Sequence, residues 1–525
     1  MRLNSDQSVE DVRVGKFVVV EGKKNRFFSM ITDVKLDSSN PKILLDPPRS
    51  DDFIAEVIKG TGTFALIQVQ PMLMLEQGKN NSEEELRPVK TIPSHFSPVY
   101  EADDLDFKIV FGSEDDIEYK RFNIGQPLDM DTPVCLDLER FVERSNGIFG
   151  KSGTGKSFLT RLVLCGIIYK KVAVNLIFDM HNEYGWQARS ENKNQVMVKG
   201  LSQLFGSEVE VFTLDVESSR RRGIQNAKEI YISLDQIEIE DIVMLKEELN
   251  LSEASIESAL ILREALGEHW LRRFLDMTTT DIDEFIETGK GHGGALKALQ
   301  RKLFKITELK YIKNNAPYDA IGTILKYLEN GKNVILEFGT QNNLLSYMLV
   351  TNIITRRIHK RYVKMSEEYN ADPINNKPPN KLVITIEEAH KFLSPSVSKQ
   401  TIFGTIAREM RKYFVSLLIV DQRPSGIDSE ILSQIGTRIT ALLNDEKDID
   451  AVFKGVSGGS TLRTVLSQLD PKQQSLILGY AVPMPVVIRT RDYNTDFYKS
   501  LGYKDESTEE KIQKAENNIM ELFPS

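Results

Sequence analysis

Gly147-Ile148-Phe149-Gly150-Lys151-Ser152-Gly153-Thr154-Gly155-Lys156-Ser157 is the stretch on which the fold turns. An apolar strand ends at Ile148-Phe149, a G-x-x-x-x-G-K-S loop follows, and Ser157–Tyr169 has the pattern of a helix. A strand feeding a helix through glycines aims backbone N–H groups and the positive end of the helix dipole at one point. Phosphate oxygens fit that point, and glycine lets the main chain approach them where a Cβ would clash. Gly150, Lys151, Ser152, Gly153, Thr154, Gly155, Lys156 and Ser157 therefore form the expected nucleotide cradle, with ATP as the nucleotide. Lys156 is expected to reach the β- and γ-phosphates, and the Ser157 hydroxyl to ligate Mg2+.

Working outward, a buried strand of the parallel type is expected at Val172–Asp179, with further strands at Asn333–Phe338, Lys381–Ile386, Val415–Val420 and Arg438–Leu443. The third of these delivers Glu387-Glu388-Ala389-His390 to a strand tip, where ligands bind in α/β sheets. One carboxylate can organise the metal, and Glu387 is assigned to it; the next can polarise the attacking water, and Glu388 is assigned as general base. An acidic helix start favoured by the dipole is the plainer alternative. The following strand ends in Asp421-Gln422-Arg423-Pro424, where the Gln422 amide is placed to sense the γ-phosphate or simply to close a turn. Arg408 and Arg411 lie at i, i+3 on a helix expected over Ile402–Tyr413, and either can serve as an arginine finger or sit in a surface ion pair. Arg144 is a third candidate. Phe178–Gly185 is read either as a loop bringing Asp179 and Glu183 towards the metal or as a strand-ending turn with Tyr184 packed. The basic runs Arg220-Arg221-Arg222 and Arg356-Arg357 with Lys360-Arg361 can face nucleic acid or form solvated faces.

The chain has 525 residues, too many for one ordinary core, and its 41% hydrophobic and 27% charged composition is that of a globular protein. No apolar run suits a membrane span and the first residues have no apolar signal core, so a cytoplasmic protein without membrane contact is expected. Cys135 and Cys165 make no disulfide framework. Residues 1–100 read as short strands (Val14–Val20, Phe27–Val34, Ile54–Val57, Phe64–Pro71) with turns at Gly22–Asn25 and Lys59–Gly62, predicting a small β-barrel. Residues 101–118 hold eight acids against one lysine, a local charge of −7 within a total of −9. That stretch predicts a solvated connector over 101–130. The core then occupies 131–225 and 331–495, interrupted at 226–330 by an amphipathic helical insertion (Ile239–Leu249, Ser252–Leu275, Gly294–Leu309). Ser366–Asn380 reads as a linker, Asn80–Glu85 as a mobile loop, and 496–525 as a helical tail, mainly Asp505–Phe523.

The order of these parts resembles the HerA family of hexameric DNA translocases, relatives of FtsK. The resemblance rests on Gly147–Ser157, Phe178–Gly185, Ile386–His390, Ile406–Lys412, and Val420–Pro424 with Ser433-Gln434. It departs from the family at Glu387, where aspartate is usual, and at Met410, where glycine is common. It implies a RecA-like P-loop NTPase core with a helical insertion and an N-terminal small β-barrel, a homo-hexamer, ATP between subunits and double-stranded DNA in the pore. It also implies that Glu388 is catalytic, Arg411 or Arg408 the finger and Gln422 the sensor, and that a nuclease of the NurA type or another effector enzyme is a partner in end processing, repair or phage defence. The competing reading is an ATP-dependent scaffold or switch that activates a partner without translocating, or a motor acting on protein.

Overall fold

The computed structural model describes residues 1–3, 8–49, 53–58, 62–76, 86–189, 197–287, 293–398, 401–456 and 459–503. The expected loop at Asn80–Glu85, most of the turn at Lys59–Gly62 and the helical tail at Asp505–Phe523 lie outside them.

A mixed sheet of 12 strands organises the chain. Its order is Lys228–Glu229, Val209–Thr213, Asn333–Glu337, Val174–Asp179, Leu382–Glu387, Val415–Asp421, Asn146–Phe149, Thr437–Thr440, Gln474–Gly479, Val486–Thr490, Arg121–Gln126, Val134–Asp137. Pairing is parallel from the first strand to Thr437–Thr440 and antiparallel beyond it. The central strands are buried on both faces, which is why they read as continuous apolar runs. Alternate residues feed opposite cores. Phe178, Leu336, Ile384, Ile386, Leu417 and Ile419 face one cluster, with helices Ala320–Glu329 and Leu344–Ala371. Ile177, Ile335, Val383, Leu418, Val420 and Ile148 face the other, with Leu159, Leu162 and Val163 of helix Lys156–Lys170. The result is an α/β fold with helices on both faces of a large mixed sheet.

The structure adds to the sequence expectations and departs from them at several places. The N-terminal region is an antiparallel sheet in the order Arg87–Pro88, Thr63–Glu76, Asn25–Ser38, Phe17–Glu21, Val99–Glu101, and among the described residues no pairing of its outer strands closes it into a barrel. Its two 14-residue strands form one long hairpin ladder, so most of the β-branched and aromatic residues are absorbed by a single pair. Ile54–Val57 is not a strand but part of the helix Phe53–Ile58; Phe53, Ile54 and Val57 are exposed, with no sheet face to join. Residues 101–130 are not a solvated connector. They contain a capped helix, Asp104–Phe111, with Phe107, Ile109, Val110 and Phe111 buried, and the sheet strand Arg121–Gln126. Several of the acids there have partners: Asp106 with Arg26, Asp116 with Arg121, Glu114 with Arg491. The linker expected from Ser366 begins later, because helix Leu344–Ala371 runs on until Pro373 makes continuation unfavourable. The helix read over Ser252–Leu275 is interrupted at Gly267, which caps Glu253–Leu266 with φ +74°. Among the described residues no helix is long and apolar enough to cross a membrane.

Candidate active site

The P-loop strand and the Glu388 strand flank Val415–Asp421. Their registers are level: Glu387 pairs with Val420, and Val420 with Ile148. Two strand spacings of about 4.8 Å put the tips of the outer two roughly 10 Å apart, with the Gln422 tip between them. The loop is tied down on both sides, the Gly150 N–H donating to the Asp421 carbonyl (3.3 Å) and the Lys151 N–H to the Leu442 carbonyl (3.0 Å). Gly153 and Gly155 have φ of +78° and +87°, and a Cβ built on either meets nothing within 4 Å. Glycine is needed there for the backbone turn rather than for room inside the protein. Helix Lys156–Lys170 starts at the cradle, and the Lys156 ammonium folds back to donate to the Lys151 carbonyl at 2.9 Å.

Glu388 leaves its strand with φ +48°, a conformation few non-glycine residues adopt. Its Oε1 accepts from the Gln422 amide at 3.1 Å, so the expected base and the expected sensor are in direct contact. Glu388 Oε2 lies 3.6 Å from His390 Nδ1, which is 3.0 Å from the buried Asp421 carboxylate. That hydrogen bond holds the His390 imidazole above its ordinary range, against the effect of its partial burial.

Glu387 is 6% exposed. The Tyr184 hydroxyl donates to its Oε1 at 2.9 Å, and Tyr347 bridges its backbone, accepting from the N–H and donating to the carbonyl at 3.0 Å each. Burial, reinforced by the charges of Asp179 and Glu183, pushes the Glu387 carboxyl well above the usual range. Its Oε2 is buried without a hydrogen-bond partner among the described residues. An orphaned carboxylate oxygen and the Ser157 hydroxyl are both hard oxygen donors, the type Mg2+ takes, and among the described residues no cluster of three or more His, Cys, Asp or Glu side chains forms a rival metal site. Asp179 is engaged by the backbone of the turn that follows it. Its carboxylate accepts the N–H groups of Glu183, Tyr184 and Gly185 (2.7, 2.8 and 3.2 Å), as the strand-ending-turn reading has it. Burial and the neighbouring Glu337 push it up to about 7.

The arginines are not equivalent. The α-helix stops at Glu409 and Met410–Tyr413 is a 3-10 turn, so the regular i, i+3 face is lost between them. Arg408 reaches the Ser398 carbonyl (3.4 Å) and Glu430 (3.8 Å), whereas Arg411 is exposed. Arg144 lies over the Tyr480 ring at 4.2 Å. The basic runs are largely neutralised: Arg356 by Asp241 and Glu238, Lys360 by Glu238, Arg361 by Glu329, and Arg222 by the buried Glu337. Arg220 and Arg221 end a short helix, Val216–Arg221, rather than a loop.

Two features escaped the sequence reading. A cavity of about 340 Å³ opens beside the cradle, lined by Gly153, Gly155, Phe158, Lys472, Gln473, Thr490, Arg491 and Tyr493. Phe158 and Tyr493 meet edge-on there, with ring centroids 6.2 Å apart. No motif marks residues 472–494; only the antiparallel strands carry them to the loop. The second is the Tyr184–Glu387 bond, which joins residues 203 positions apart; its one sequence signal was Tyr184 within the Phe178–Gly185 stretch.

A glycine loop opening a helix beside a carboxylate at a neighbouring strand tip defines this chain as a P-loop ATPase. Comparison narrows the class. Residues 122–358 match the family described as DUF87, helicase HerA, central domain. The chain is similar, at 26% identity over 91% of its length and 87% of the relative, to the DNA double-strand break repair helicase HerA of Saccharolobus solfataricus. Its likeness to the protein of that name in Sulfurisphaera tokodaii is 25% over 97% of this chain and 94% of the relative. Among solved structures, VirB4 of Thermoanaerobacter pseudethanolicus is a distant likeness, with a TM-score of 0.44 and 13% identity over 72% of this chain and 98% of that one. The chain is a P-loop ATPase that is similar to HerA helicases over most of its length.

Proposed function

We propose that this chain is an ATP-hydrolysing motor that assembles with itself into a ring of six and translocates on double-stranded DNA. In this reading it acts in the cytoplasm beside a nuclease or other effector enzyme, in end processing, repair or phage defence. The observation that carries it is the contact between Glu388 and Gln422 at a strand tip flanking the phosphate cradle. It is supported by relatives named as DNA double-strand break repair helicases that align over nine-tenths of the chain. The strand Arg121–Gln126 together with residues 131–225 and 331–495 acts as the RecA-like core, 226–330 as its helical insertion, and the N-terminal antiparallel sheet as a further module.

The roles follow from chemistry. Lys156 and the loop N–H groups hold the phosphates, and the Phe158–Tyr493 cavity takes the base. Ser157 and Glu387 would hold magnesium, which when bound would supply neutralisation of charge on the phosphate oxygens. Glu388 accepts the proton of the attacking water as its oxygen bonds to the γ-phosphorus and the bond to the β–γ bridging oxygen breaks. Gln422 senses the γ-phosphate. Arg411, or Arg408, completes the site from the neighbouring subunit.

The test is the ATPase rate with and without duplex DNA across a salt series, together with the size of the assembly. Stimulation that fades as salt rises is expected, because phosphate contacts release counterions. A rate indifferent to duplex at low salt, from a chain whose Glu388→Gln variant is inactive, would remove DNA translocation while leaving the ATPase. The scaffold reading draws on one observation, the internal neutralisation of the basic runs. It predicts nucleotide-dependent assembly with a partner enzyme and no response to DNA; a protein-directed motor responds to unfolded protein instead.

A further inference from the structure

We infer that His390 and Asp421 are positioning residues for Glu388, forming with Gln422 a clamp that sets where the general base rests between turnovers and keeps it at the strand tip when Gln422 lets go. The inference rests on the reading of Glu388 as that base.

Three residues from two adjacent strand tips make the clamp around Glu388. Asp421 ends its strand fully buried, with both oxygens engaged. Oδ1 accepts the Arg423 N–H at 2.7 Å, and Oδ2 accepts the His390 N–H at 2.7 Å. The same carboxylate faces His390 Nδ1 at 3.0 and 3.2 Å. A carboxylate already accepting two backbone donors calls for a third donor, so the ring proton sits on Nδ1 and points at Asp421. The imidazole is thereby held by its main chain and its ring together. Gly426 packs on its other side; a Cβ there would stand 3.1 Å from that of His390.

The ring fixed in this way presents its edge to Glu388. At 3.6 Å, Glu388 Oε2 is outside hydrogen-bond range of Nδ1. The ring edge therefore confines the carboxylate by close polar approach rather than by a hydrogen bond, which leaves it free to take a proton from water. The amide of Gln422 is the one side chain hydrogen-bonded to this carboxylate among the described residues. A Gln422 that turns to a γ-phosphate gives up that bond. His390 is then what keeps Glu388, on its positive-φ turn, from swinging away. Two jobs are thus divided: Gln422 reports the nucleotide, and the Asp421-anchored ring holds the base in place.

The experiment measures steady-state ATP hydrolysis by the full chain, with ATP affinity by calorimetry and thermal midpoints alongside. His390→Ala is expected to lower kcat roughly tenfold to a hundredfold, the usual effect of losing a residue that orients a reacting group, with ATP affinity held within about twofold. His390→Asn keeps an N–H near the Nδ1 position and should recover kcat to within about threefold of the parent. Parental kcat in His390→Ala would overturn the inference, as would His390→Asn no faster than His390→Ala when both keep the parental midpoint. If the His390 variants do not fold, Asp421→Asn decides: a lower kcat at unchanged affinity supports the clamp, and an unchanged kcat overturns it. Glu388→Gln runs in parallel. Normal turnover by that variant removes the base itself, whereas a slow Glu388→Gln beside a normal His390→Ala removes only the positioning.

Discussion

Replacing Tyr184 with phenylalanine deletes one oxygen and leaves the ring in place. That oxygen donates at 2.9 Å to Glu387 Oε1, both residues are buried, and Oε2 already has no partner among the described residues. The variant therefore leaves the whole Glu387 carboxyl without a hydrogen bond inside the protein. The cost of orphaning a buried polar group is about 1–3 kcal/mol, a roughly 5- to 150-fold change in an equilibrium constant. Lost van der Waals contact adds little, since the phenyl ring still fills the site. The functional effect is separate. Glu387 is proposed to hold Mg2+ with Ser157, and an unanchored ligand binds metal more weakly, by roughly tenfold or more where outer partners are removed. The assay pairs a urea unfolding curve with ATPase activity across a Mg2+ titration. A lower unfolding midpoint is expected, with half-saturation moving to higher Mg2+. Unchanged midpoint and unchanged Mg2+ requirement would refute the reasoning, since both follow from the one bond. A lower midpoint with an unmoved Mg2+ curve would confine Tyr184 to stability.

Mixing Arg411→Ala chains with Lys156→Ala chains should restore ATPase activity above that of either alone, measured at fixed total protein; no recovery at any ratio counts against a finger supplied by a neighbour. Gly404→Ala places a Cβ 1.7 Å from the Ser398 carbonyl, the same oxygen that Arg408 reaches, so it should destabilise the Ile402–Glu409 helix by about 1–3 kcal/mol, read as a lower thermal midpoint. The raised His390 imidazole binds its proton more tightly folded than unfolded, so its stabilisation is complete below the ordinary value near 6.5 and is lost as pH rises through the higher folded value. Thermal midpoints of His390→Asn and the parent should thus differ most at acid pH and converge above that window, and a constant difference across pH would exclude the linkage.

The site divides into what is local and what is not. Gly150–Ser157 was legible because each demand is met within eight residues: a strand end, positive-φ glycines, a helix start. The strands bearing Glu388 and Gln422 were legible for a similar reason, since a strand buried on both faces must be apolar throughout. Their order in the sheet was not, because parallel neighbours are joined by long crossovers and nothing local encodes which tip lies next to which. Tertiary structure alone set Gln422 against Glu388, brought Tyr184 to Glu387 and carried residues 472–494 to the cradle. It also settled the acidic stretch and the basic runs. A charge read in sequence looks solvated, but its fate depends on whether folding delivers a counter-charge, as Asp241 and Glu238 do for Arg356 and Arg26 does for Asp106. Backbone chemistry is written residue by residue, whereas pairing energies exist only between groups that the fold has already brought within a few ångströms.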